Sequence, residues 1–196
     1  MRFGKSFAGI ALALLAVGPL AAQQSGDRVS VFVRGGGMSA LNDLNESGTL
    51  EMATGFTFGG GVGYKLHRNI VIRGDLSYAE NDMELNGADV GSLNRIFYGA
   101  AIQFQLPNST GLMPYVFAGG GAVTLDPDGG ETETKGQGTF GGGVKYGLGQ
   151  SRFSVFAEGI AYTYKGKVRT SAPTNINVNK TQWDVAWTGG ISINLF

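Results

Sequence analysis

Residues 181–196, TQWDVAWTGGISINLF, constrain the fold more than any other stretch. Trp183, Val185, Trp187, Gly189, Ile191, Ile193 and Leu195 share one parity, while Asp184, Ala186, Thr188, Gly190, Ser192 and Asn194 share the other. Alternation of this kind makes a strand with one oily face. A strand of about ten residues, apolar on one side, small or polar on the other and flanked by aromatics, is the unit of a transmembrane barrel. Lipid offers no partner for backbone N–H and C=O groups, so such a strand must belong to a closed sheet whose other edge lies far back in the chain.

The same period of two recurs through the sequence. Residues 28–40 set Val29, Val31 and Val33 against Ser30, Phe32 and Arg34. Residues 54–66 set Phe56, Phe58, Val62, Tyr64 and Leu66 against Thr57, Gly59, Gly61, Gly63 and Lys65. Residues 70–78, 95–106, 114–125, 136–146 and 152–164 follow, and with the terminal stretch they make eight predicted strands. Tyr162 and Tyr164 share the parity of Glu158, so they point inward unless a bulge intervenes. The links run long, short, long, short, long, short, long, with acidic long links at residues 80–93 and 126–135. The fourth long link is basic (Lys165, Lys167, Arg169, Lys180) and the first is acidic (Asp43, Glu46, Glu51). An even strand count with alternating short turns and long loops is the pattern of an eight-stranded antiparallel up-and-down transmembrane β-barrel.

Composition narrows the reading further. Glycine supplies 34 of 196 residues, a density that would ruin helices at up to about 1 kcal/mol per site but suits closely packed strands. Residues 1–22 combine a basic start (Arg2, Lys5), an apolar run over 7–20 and small Ala21 and Ala22, the features of a cleaved signal peptide. The run is shorter than the roughly 20 residues a spanning helix needs. The expected organisation is a signal peptide over 1–22 and a barrel domain over 23–196. Removing Arg2 and Lys5 takes 15 basic against 15 acidic residues to 13 against 15, a balance that gives no reason to expect nucleic acid. The absence of cysteine excludes a disulfide-stapled scaffold.

The aromatics sort by height along the predicted strands. Tyr64, Phe104, Tyr115, Tyr146 and Phe153 fall beside the short turns, and Phe56, Tyr78, Tyr98, Trp183 and Trp187 near the long links, which predicts two interfacial girdles. On the opposite parity, Arg34, Lys65, Arg73, Arg95 and Lys145 join Asp75, Glu158 and Asp184 in the lumen. An eight-stranded lumen is just wide enough to be filled by side chains, and unpaired buried charge is costly. These eight residues are therefore expected to pair or to hold water as one polar network.

The export signal, IVIRGDLSY in the third strand, PYVFAGGGA opening the fifth, FSVFAEGIAY in the seventh and the terminal GGISINLF resemble the small outer-membrane β-barrel proteins, a group that includes the membrane domain of OmpA, OmpX and the opacity-type proteins. The resemblance covers the whole of residues 23–196. It implies an integral outer-membrane location, a surround of lipid and lipopolysaccharide, delivery by periplasmic chaperones and barrel-assembly machinery, and a monomer. It also implies that Phe196 is the assembly signal, although here Ile191, Ile193 and Leu195 hold the oily phase and Phe196 falls outside it. No peptidoglycan-binding domain is expected after the barrel.

Chemistry beyond the barrel is sparse in the sequence. The single histidine, His67, lies in a predicted short turn, away from where a lipid-modifying enzyme of the outer leaflet would need it. The acidic run at residues 126–133, DPDGGETE, lacks the ligand spacing and closing glutamate of a calcium loop. No catalytic residue, cofactor site or metal site is assigned. The expected function is a non-enzymatic barrel with a role in envelope integrity or adhesion-like surface contact through its loops, with a narrow channel for ions or small solutes as the alternative and a lipid-modifying enzyme third.

Overall fold

The computed structural model describes residues 28–42, 50–85, 88–128, 131–149, 151–169 and 177–195. The predicted signal peptide, Phe196, and Asp43 and Glu46 of the first link lie outside the described residues. Strands run as β1 (Val29–Ala40), β2 (Leu50–Met52), β3 (Gly55–His67), β4 (Ile70–Leu85), β5 (Ala88–Gln105), β6 (Leu112–Pro127), β7 (Glu133–Gly147), β8 (Phe153–Arg169) and β9 (Asn177–Asn194). Each pairs antiparallel with its neighbours. The ring closes where β1 pairs with β9, Ser30 opposite Asn194 and Ala40 opposite Asp184. Short β2 pairs with β4 just beyond the end of β3, Met52 opposite Met83, while β3 reaches up β4 only to Phe56 opposite Glu80. The Ala53 amide continues the ladder by donating to the Asp82 carbonyl at 3.0 Å. Thus β2 and β3 are one interrupted course, and the described residues form a closed eight-stranded antiparallel barrel whose backbone groups are satisfied by their neighbours.

The two faces separate as the period of two requires. Val33, Phe58, Ile102, Val116, Phe140, Trp187 and Ile191 stand exposed on the outer surface. The interior holds Met38, Phe97, Phe117, Val123, Ile160 and Tyr162 together with buried Arg34, Arg73, Arg95, Glu158 and Asp184. Glycines on the inner face make room for this filling. A Cβ on Gly61 would lie 2.7 Å from the Phe32 ring, and one on Gly190 would lie 2.5 Å from the Phe156 ring. Those two rings meet edge to face with centroids 6.0 Å apart, a favourable aromatic geometry that bulkier neighbours would block.

Two expectations are corrected. The acidic stretch over 80–93 is not a long loop: β4 runs to Leu85 and β5 starts at Ala88. Likewise β6 and β7 continue to Pro127 and from Glu133, and β8 and β9 run on through Arg169 and from Asn177. Alternation persists in the extensions of β4 and β6, with Asn81, Met83, Leu125 and Pro127 buried inside and Asp82 and Asp126 exposed outside; the acidic residues mark a water-facing outer surface, not the end of the strand. Second, Tyr115 does not belong to a girdle. It shares an inward parity with buried Phe117, Val123 and Leu125 and is itself only 6% exposed. The inward parity of Tyr162 and Tyr164 with Glu158 holds: β8 pairs with β7 and β9 without a register shift, no bulge turns them outward, and both are buried.

Candidate functional site

The barrel has a terminus end, where the short turns, the start of β1 and the end of β9 meet, and a loop end, where strands β4 to β9 project. Between them the lumen is filled layer by layer. The central layer draws on alternate strands: Arg34 from β1, Arg73, Asp75 and Ser77 from β4, Tyr115 from β6, and Glu158 and Tyr162 from β8. Residues two apart on a strand share a face, which is why β4 contributes three of these side chains. β1 sits midway between β4 and β8 around the ring, and Arg34 reaches both, with Nη1 2.6 Å from Glu158 Oε1 and 3.0 Å from Asp75 Oδ1.

Arg73 forms the complementary half of this knot. Its Nε and Nη2 donate to Asp75 at 2.9 and 2.8 Å, and its Nη1 donates to Glu158 at 3.0 Å and to Gln103 at 3.3 Å. The guanidinium also lies between two rings, 4.8 Å from the centroid of Phe32 and 4.3 Å from that of Phe117, contacts worth about 2 kcal/mol or more where water is excluded. Tyr115 donates its hydroxyl to Glu158 Oε2 at 2.8 Å, and Arg34 Nη2 donates to Ser77 at 2.7 Å. Two arginines and two carboxylates thus balance in charge, joined by the charge-assisted forked bonds that make buried ion pairs tolerable.

Nearer the loop end a second layer stands by itself. Arg95 of β5 and Asp184 of β9, both fully buried, pair at 2.5 Å. Tyr164 donates to Asp184 at 2.8 Å, and Arg95 also donates to Asn81, whose own amide donates to the carbonyls of Met38 at 2.9 Å and Ala53 at 2.7 Å. Between the layers Phe97 stacks on Tyr162 with centroids 4.2 Å apart. The gap that remains there is about 10 Å3, room for about one water. Beyond Arg95 the lumen is capped by apolar Met38, Met83, Leu93 and Leu125, each no more than 1% exposed.

The eight residues expected to form one lumen network are therefore divided. Arg34, Arg73, Asp75 and Glu158 come together; Arg95 and Asp184 pair separately; Lys65 and Lys145 line an open vestibule at the terminus end and join neither cluster. Asn81, Ser77, Gln103, Tyr115, Tyr162 and Tyr164 were missed as network members, although each shares an inward parity with a charged residue on its own or a neighbouring strand. Of the expected girdle aromatics, Tyr64, Phe104, Tyr146, Phe153, Phe56, Tyr98, Trp183 and Trp187 stand exposed on the outer face. Tyr78 is half-buried beside Phe58, 5.2 Å between centroids, and donates to Glu80 at 2.9 Å.

The family model for the outer membrane protein beta-barrel domain matches residues 10–188. The chain belongs to that family. This outer-membrane barrel has the fold of Neisserial surface protein A, with a TM-score of 0.63, 17% identity, and coverage of 85% of this chain and 97% of that one. It is similar also to the outer membrane protein OprG from Pseudomonas aeruginosa, at a TM-score of 0.52, 15% identity and coverage of 85% and 95%. A third likeness is to the outer membrane protein AlkL, at 0.52, 15%, 90% and 95%. No curated protein matches the chain. Membership and fold together locate the protein in the outer membrane, so the exposed aromatic and aliphatic belt faces lipid.

Proposed function

We propose that this outer-membrane barrel is a non-conducting, non-enzymatic scaffold that presents its projecting hairpins at the cell surface, with its chain ends in the periplasm. The observation that carries the reading is the filled cross-section. Two ion-paired layers, an aromatic stack and an apolar cap succeed one another along the lumen, while β4 to β9 extend beyond the lipid-facing belt and the extensions of β4 and β6 expose Asp82 and Asp126 on their outer face. Strand extensions of this kind offer area for contact with other surfaces or with the sugars and phosphates of lipopolysaccharide. The barrel itself contributes to envelope integrity as a monomer inserted by the assembly machinery, with Phe196 as the recognised residue. His67, the sole histidine, is exposed at the end of β3 that meets the short turn, which disfavours an enzyme acting on the outer leaflet.

The orientation is tested by protease shaving of intact cells. Cleavage near Asp128 and within residues 170–176 is expected without any disruption of the envelope. Protection of both until the outer membrane is opened would overturn surface display.

A further inference from the structure

At the terminus end the lumen widens into an open vestibule of about 110 Å3, enough for several waters or for a small ion in their place. Its lining is lopsided in charge. Arg28, Lys65, Arg73 and Lys145 face it, with Glu158 as the only carboxylate among the described residues that line it. Glu158 cannot balance the lysines, because Arg34, Arg73 and Tyr115 already hold its oxygens. Lys65 and Lys145 have no ion-pair partner among the described residues.

The ring order fixes how these groups oppose one another. β3 and β7 lie four strands apart in an eight-stranded ring, so Lys65 and Lys145 approach the vestibule from opposite walls. β5 and β9 are likewise opposite, bringing Gln103 and Gln105 toward Ser192. Ser192 is 2% exposed and its hydroxyl has no hydrogen-bond partner, an orphan of a kind that folded proteins rarely leave. Each glutamine amide has given one hydrogen away, Gln103 to Gln105 and Gln105 to the Arg68 carbonyl, and retains a second. The groups left over include two ammoniums, the Arg28 guanidinium, a hydroxyl and two amide hydrogens.

We propose that this vestibule is a binding site for a small oxyanion of phosphate size. A cation is repelled there, and a neutral ligand leaves both lysines unpaired. An oxyanion offers several acceptor oxygens in different directions, matching donors that converge from four walls, and charge-assisted bonds of this kind are the strong ones. The site adjoins the central ion-paired layer, whose Arg73, Tyr115 and Glu158 form its inner wall, and does not depend on whether the lumen conducts.

The test is calorimetric titration of inorganic phosphate into the full-length detergent-folded barrel at low ionic strength. Saturable binding of one phosphate per barrel is expected. The K65Q/K145Q double variant should weaken it by at least about tenfold, and S192A by about two- to tenfold. K65R/K145R should retain it, as should K135Q/K165Q, which removes the same charge at the loop end. Each variant is first checked for heat-modifiable migration, so loss of folding is separated from loss of binding. Absence of saturable binding by the unmodified barrel, equal loss in K135Q/K165Q, or displacement of phosphate by an equal concentration of chloride would overturn the site.

Discussion

Toward the loop end, Arg95 and Asp184 are walled in by apolar side chains and have one another, Tyr164 and Asn81 as partners; toward the terminus end, Arg34, Arg73, Asp75 and Glu158 share their charges four ways beside an open vestibule. The dry pair has no substitute if one member is lost. The central cluster has a second carboxylate in reach of both arginines and an open vestibule beside it into which water can enter. The same eight strands thus bury charge in two ways, one through a closed pair and one through redundancy, and sensitivity to mutation should follow water access and not the number of bonds.

The largest effect is expected at the dry layer. Asp184→Ala leaves a fully buried guanidinium uncompensated, which typically costs about 3–5 kcal/mol, readable as a shift in the urea unfolding curve of the barrel in lipid vesicles. Glu158→Ala should cost less, about 1–3 kcal/mol, because Asp75 already bonds both arginines and vestibule water can replace the missing oxygens. If Glu158→Ala proves as costly as Asp184→Ala, water does not reach the central layer and the contrast between the halves fails. The smallest effect belongs to Lys65→Gln, which removes a charge without an ion-pair partner among the described residues; its unfolding free energy should stay within about 0.5 kcal/mol of the parent.

Much of this architecture is legible in the sequence because lipid outside and a narrow lumen inside impose opposite demands on alternate residues. That demand fixes the parity of Val33 against Arg34 or Trp183 against Asp184 without knowledge of any partner. The strand ends were harder to read. Glu80, Asp82 and Asp126 suggested loops, yet alternation with Asn81, Met83 and Leu125 continues there, and only the solvent on the outer face has changed from lipid to water. The height of Tyr115 along its strand suggests a girdle, but its parity with Phe117 is the better indication and points it inward. The split of the charges into two layers has no local signature. Which inward residues meet across the lumen depends on the stagger of strands around the ring, and this is what brings Arg95 to Asp184 on β9 while Arg34 and Arg73 meet Glu158 on β8.

Whether the lumen is closed is tested most directly by planar-bilayer recording of the purified full-length barrel in concentrated potassium chloride. The layers from Glu158 to Met83 predict a flat trace without unitary steps, and Glu158→Ala alone should leave it flat because the Arg95–Asp184 layer and the Phe97–Tyr162 stack still fill the cross-section. Reproducible unitary openings in the unmodified protein would contradict the closed lumen and make the barrel a narrow channel.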